Sequence, residues 1–248
     1  MPAPRTSTSL LITLAACLFA CIAPARARAQ DACRGVACSG HGSCLEERGR
    51  ALCLCEDGYA AIGASCARVR VPASILSNRD RPSVRRRIVE IATAQRGHDA
   101  RLVCSDLDVY PYGLGRYVRR GEWWCTDFVS WVYRAAGVPF TGGYQGGWMI
   151  KNNFLIKRWY ERHGLWVAKG SAEWEGYEPR PGDYMRIHTD GGGHSAIVHH
   201  VDGDTLYTVE GNVGNRVRLR TWRQYRRHPR IDGFGLLSAR RTDASARR

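Results

Sequence analysis

Six of the ten cysteines fall between residues 33 and 66: Cys33, Cys38, Cys44, Cys53, Cys55 and Cys66, spaced C-x4-C-x5-C-x8-C-x-C-x10-C. So short a stretch cannot bury enough apolar surface to hold itself together, so cross-links must supply the constraint. Many pairings of six cysteines satisfy the spacing, and the spacing does not choose among them. Zinc is the competing reading of clustered cysteines, but the paired C-x2-C knuckles of a structural zinc site are missing.

Disulfides need an oxidising compartment, and the N-terminus agrees. Arg5, the short apolar run Leu10 to Ala23 and the small residues Ala27 and Ala29 before Gln30 read as an export signal over residues 1–29. The run is short for a membrane span. Leu14, Ala15, Ala16 and Cys17 offer a second reading, a lipobox anchoring the chain through Cys17. It ranks behind the first because the apolar run continues through Leu18, Phe19, Ile22 and Ala23. No later segment reads as transmembrane, so an exported, secreted or periplasmic protein is expected. The rest divides into the cysteine-rich segment 30–67, a proline-marked linker 68–83, one domain over 84–240 and a basic tail 241–248.

The net charge is +14 over 248 residues, from 34 Arg and only three Lys. Such a charge favours acidic partners. No nucleic-acid-binding motif accompanies it, and an anionic envelope polymer or a solvated basic face explains it equally.

Cys125 sits where a helix should begin. Phe128, Trp131, Val132 and Ala135 follow at helical spacing, and Gly137 and Pro139 stop the helix. A helix start stabilises a thiolate, whereas Asp127 in the first turn opposes one. Alone, the stretch reads better as a buried structural thiol than as a nucleophile. Upstream, Ser83 is placed to cap a helix from Val84 to Gln95, and Trp148 to His163 holds room for another. Beyond the turn Pro181-Gly182-Asp183 the texture changes to strands: 184–187, 194–200, 205–210, 216–222 and 233–237. Helices first and an antiparallel sheet after give an α+β fold.

A cysteine nucleophile needs a base within hydrogen-bond reach and a group to orient that base. Among eight histidines the contest lies between His194, His199 and His200. Alternation puts His194 and His200 on one strand face and His199 on the other. His200 lies roughly 20 Å further along the strand and is read as solvated. A two-residue Asp202-Gly203 turn would pair residue 194 with 211 and leave Glu210 on the wrong side. For His194 to face Glu210, the hairpin must contain a three-residue loop or a bulge.

Two resemblances organise these pieces. The Cys33–Cys66 segment, with Gly40-His41-Gly42 before its third cysteine and Gly58-Tyr59 after C-x-C, resembles an EGF-like module. That resemblance implies the pairs Cys33–Cys44, Cys38–Cys53 and Cys55–Cys66, and a spacing role or an unknown ligand. Residues 84–240 resemble the CHAP class of cysteine amidohydrolases and peptidases, within the papain-like and NlpC-like group. The carrying features are the helix Ile88 to Gly97, Trp124 to Trp131, Pro181 to Asp183, Gly193 to Val198 and Val209 to Asn212. The resemblance implies Cys125 as nucleophile, His194 as base, Glu210 as its orienter and Asn212 completing the polar cluster. It further implies cleavage of amide bonds in the peptide part of peptidoglycan, with no cofactor required. Asp106 and Asp108 resemble the calcium loop of some members. Trp123, Trp124, Tyr144 and Trp148 are candidates for walling a substrate groove. Competing expectations are a cysteine hydrolase acting on a protein or small peptide-like amide, and a non-catalytic adhesion protein. Cys104 is a further thiol outside the six.

Overall fold

Apolar periodicity in the middle of the chain builds helices, and the alternation after residue 181 builds a sheet. In the computed structural model, which describes residues 32–47, 49–70, 79–103, 113–190 and 192–238, the first long helix is α1, Pro82–Ala94. Ser83 does not cap it. Pro82 occupies the first turn and Arg81 is the N-cap, because proline's fixed φ suits the first helical position and its missing N–H costs nothing there. Helix α2, Cys125–Ala135, and α3, Asn153–Arg162, follow. The Asn152 side chain caps α3 by accepting from the amides of Phe154 and Leu155. A single turn, α4, spans Ala172–Glu175.

Among the described residues there are ten strands. A disulfide-rich module carries two hairpins, β1 (Gly42–Glu47) with β2 (Arg50–Cys55) and β3 (Tyr59–Ile62) with β4 (Ser65–Arg68). The remaining six are β5 (Trp166–Ala168), β6 (Tyr184–Thr189), β7 (Gly192–Asp202), β8 (Thr205–Val213), β9 (Arg216–Arg223) and β10 (Ile231–Gly235). They form one antiparallel sheet in the order β5-β10-β6-β7-β8-β9. Strand β5 was not anticipated: three residues are too few for a visible alternation. Together with α1–α3 the sheet gives the expected α+β architecture.

The turn Pro181–Asp183 fastens helix to sheet. Asp183 is fully buried and Arg85 of α1 reaches it at 2.9 Å, while Arg85 also donates to the Pro181 carbonyl at 2.8 Å. Tyr133 of α2 donates to the Gly182 carbonyl at 2.8 Å. Burial dominates in raising the Asp183 carboxyl above its usual range, although Arg85 works against it.

The module has the pairs Cys33–Cys44, Cys38–Cys53 and Cys55–Cys66. It is docked, not suspended. The Cys55 amide donates to Gly142 O and the Ala61 amide to Gly143 O, both at 2.8 Å. Arg162 donates to Cys55 O at 2.7 Å, and His163 meets Asp57 at 3.0 Å. Gly142 has φ +74, and a Cβ on it would stand 2.0 Å from Cys55 O; only glycine permits this approach. Leu52 and Leu54 belong to the domain's main core. The expected linker also ends early, because Arg79 is wholly buried. It lies over Tyr133, Phe140 and Trp159 and donates to Pro139 O at 2.7 Å.

Candidate active site

Helix α2 delivers Cys125 as its first residue, buried to 5% exposure. The helix lies close to strand β8 because residue 211 is glycine: a Cβ there would come 2.6 Å from Phe128 Cβ and 2.8 Å from the Trp124 ring. Glu210 alternates to the opposite side from Gly211.

The strand faces are set by one extra residue. The β7–β8 turn is Gly203-Asp204, with Asp202 opposite Thr205, one position later than the sequence suggested. Alone, that turn would still place Glu210 on the wrong face. The register shifts between Val198 and His200, however, so that Val198 pairs with Thr208 and Ile197 with Val209. The bulge falls at His199. Beyond it, Ala196 and His194 share a face with Glu210, and His194 Nε2 lies 3.0 Å from Glu210 Oε2. The second of the two routes, a bulge, is the one the chain takes.

Glu210 is completely buried, which is tolerable only because its oxygens are occupied. Oε2 takes the His194 hydrogen bond. Oε1 accepts from Thr208 Oγ1 at 2.6 Å and from Trp222 Nε1 at 3.0 Å. Thr208 and Trp222 were missed in the sequence. They were visible in principle, since Thr208 shares Glu210's face by alternation and Leu206 pairs with Trp222 across β9.

With Nε2 on Glu210, His194 offers Nδ1 to the thiol. Burial alone would raise the Cys125 pKa. A hydrogen bond from His194, its charge, the Thr126 hydroxyl 3.7 Å away and the Ser195 amide outweigh it, and the thiol lies below its ordinary value. His194 behaves conversely. Burial pushes it down, but hydrogen bonds to Cys125 and Glu210 push it up to about 10. The favoured state is a thiolate–imidazolium pair. Asp127, in the same first turn, is pushed up to about 7 by burial despite Lys151 at 3.2 Å. Its charge therefore opposes the thiolate less than an ordinary aspartate would.

Cys125, His194, Glu210 and Asn212 line one cleft of about 320 Å³, with Trp123 at its wall. Asn212 has φ 63, in the left-handed region where asparagine is tolerated. Of the four aromatic candidates, only Trp123, 55% exposed, faces this cleft. Trp124 is buried against Phe128 and donates to Asn215 at 3.1 Å. Trp148 is buried between Tyr117 and Arg134. Tyr144 serves the docked module, accepting from the Cys53 amide and donating to Gly63 O, each at 3.3 Å. Large aromatic surfaces are covered by packing wherever the fold can cover them. His200 stacks on Tyr207 at 4.2 Å, away from the triad. Cys104, Asp106 and Asp108 lie outside the described residues, as do residues 1–30, which hold the expected signal and Cys17. Among the described residues Cys125 is the free cysteine, no cluster could hold a metal ion, and no helix is long and apolar enough to cross a membrane.

A family model for the CHAP domain matches residues 116–212, a span that includes Cys125, His194, Glu210 and Asn212. Two solved structures of Ly7917 are similar. One covers 61% of this chain and 62% of its own, at 20% identity and a TM-score of 0.39. The other, with the hydrolysing product of MDP, covers 60% and 61%, at 20% identity and a TM-score of 0.37. The chain thus spans less than two thirds of either. No curated protein matches it. The span that the CHAP model matches takes in helix α2 and the β7–β8 residues His194 and Glu210.

Proposed function

We propose that the chain is an exported cysteine hydrolase that cleaves amide bonds in the peptide part of peptidoglycan. The observation that carries this reading is the pairing of a low-pKa thiol with a raised imidazole, oriented by a buried carboxylate at an open cleft. The CHAP match supports the substrate class. Three disulfides fit an oxidising compartment.

The Cys125 thiolate attacks the amide carbonyl, forming a C–S bond and a tetrahedral oxyanion. The free N–H groups that a helix start offers would stabilise such an oxyanion, and Asn212 lines the same cleft. Collapse breaks the C–N bond, and imidazolium His194 gives its proton to the leaving amine. The remaining thioester is hydrolysed by water that neutral His194 deprotonates, releasing a carboxylate and restoring the thiol. Glu210 holds the ring through the cycle.

The test incubates the mature protein, under mild reductant, with purified peptidoglycan and counts new amine termini. Release should vanish in Cys125→Ala. Equal release by both proteins would sink the mechanism. Cleavage of a protein substrate alone would replace the wall as substrate.

A further inference from the structure

Charge in the cleft is one-sided. Arg220 and Arg230 line it together with Cys125 and His194. Arg220 arrives by strand alternation: Thr208 pairs with Arg220 and Glu210 with Arg218, so Arg220 shares the triad's face. Its guanidinium lies 5.1 Å from the centre of the Trp222 ring, the same ring whose Nε1 holds Glu210. Arg230 is fixed by its backbone, its carbonyl accepting from the His188 amide at 2.6 Å and its amide donating to His228 Nδ1 at 3.3 Å. Both arginines thus face one cleft, and both act on nearby His228: after burial, Lys169, Arg230 and Arg220 hold that ring below its ordinary pKa.

No carboxylate among the described residues pairs with either guanidinium. The acid lining this cleft is Glu210, wholly buried and already accepting three hydrogen bonds. The neighbouring hollow beyond Trp123 and Asn212 differs: there Arg101, Arg119 and Arg120 stand with Asp99 and Glu122. Unopposed arginines beside a nucleophile attract and orient anions, and their planar donors match a carboxylate.

We propose that Arg220 and Arg230 form a carboxylate-reading subsite, so that the preferred substrate carries a free carboxylate on the side of the scissile amide that faces these two arginines. The inference takes its substrate from the hydrolase reading but does not require the wall.

The test uses the full chain with its disulfides intact and two alkylating agents, anionic iodoacetate and neutral iodoacetamide. In both, the Cys125 thiolate forms an S–C bond and iodide leaves, so the ratio of the two rates cancels changes in thiolate reactivity. The iodoacetate-to-iodoacetamide ratio should be about fivefold or more higher in the wild type than in Arg220→Gln/Arg230→Gln. The gap should shrink with added salt. Arg220→Lys should keep most of the ratio that Arg220→Gln loses. An identical ratio in wild type and double variant overturns the subsite, even if peptidoglycan is cut. A preserved bias with no action on peptidoglycan supports the subsite and removes the wall as substrate.

Discussion

In the module, three disulfides hold two short hairpins whose outer strands β1 and β4 stay largely unburied. In the sheet domain no disulfide occurs among the described residues, and buried Trp131, Tyr133, Trp159 and Phe234 fill the core instead. The two regions fix their backbones by different means, yet they are not independent. Leu52 and Leu54 enter the domain's core, and the Gly142–Tyr144 loop hydrogen-bonds both hairpins of the module. A segment too small for its own core gains one by docking, and covalent links do the rest.

The contrast predicts where damage spreads. Gly142→Val should be the most disruptive, because it sets a side chain against Cys55 O at a positive φ. It should cost about 3 kcal/mol or more in denaturant unfolding. Gly176→Ala, which meets nothing within 4 Å, should stay within about 0.5 kcal/mol. Equal effects would mean that the module hangs free. Gly211→Ala should act in the domain alone, pushing α2 off β8 and lowering kcat/KM about 100-fold, the scale of a displacement of about 1 Å.

Thr208→Val should have a milder effect, about tenfold on kcat/KM, by removing a donor worth roughly 1.5 kcal/mol to charged Glu210. The midpoint of Cys125 alkylation against pH should move upward with it. An unchanged midpoint would separate Thr208 from the triad.

A pH-dependent effect concerns Asp127. Its folded pKa is raised from 3.8 to about 7, so between those values the folded state binds more protons than the unfolded one. Stability on its account falls as pH rises through that window. Asp127→Asn should flatten the slope of stability between about pH 4 and pH 7. A slope unchanged in that window would place the titration elsewhere.

Much of this was legible beforehand, for physical reasons. The α2 helix announced itself through apolar spacing, and the hairpin of His194 and Glu210 through alternation. What stayed hidden was whatever depends on tertiary packing. Trp124, Tyr144 and Trp148 carry no mark in sequence of which surface will cover them. Arg79, in an apparently polar linker, lies under three aromatic rings. The bulge at His199 has no compositional signature, since any residue can be the extra one; only the need for His194 and Glu210 to meet implied it.

That bulge also governs how the hairpin can change. His194 and Glu210 are sixteen positions apart, and the outcome depends on whether the number of residues across the hairpin is odd or even. Insertions or deletions of two residues at the Gly203-Asp204 tip would lengthen or shorten a projecting arm and leave His194 facing Glu210. A single-residue change would turn Glu210 to the other face unless the bulge vanished in compensation. Position 199 is therefore a spare count, through which a descendant of this chain could trade the bulge for a three-residue tip and keep its chemistry.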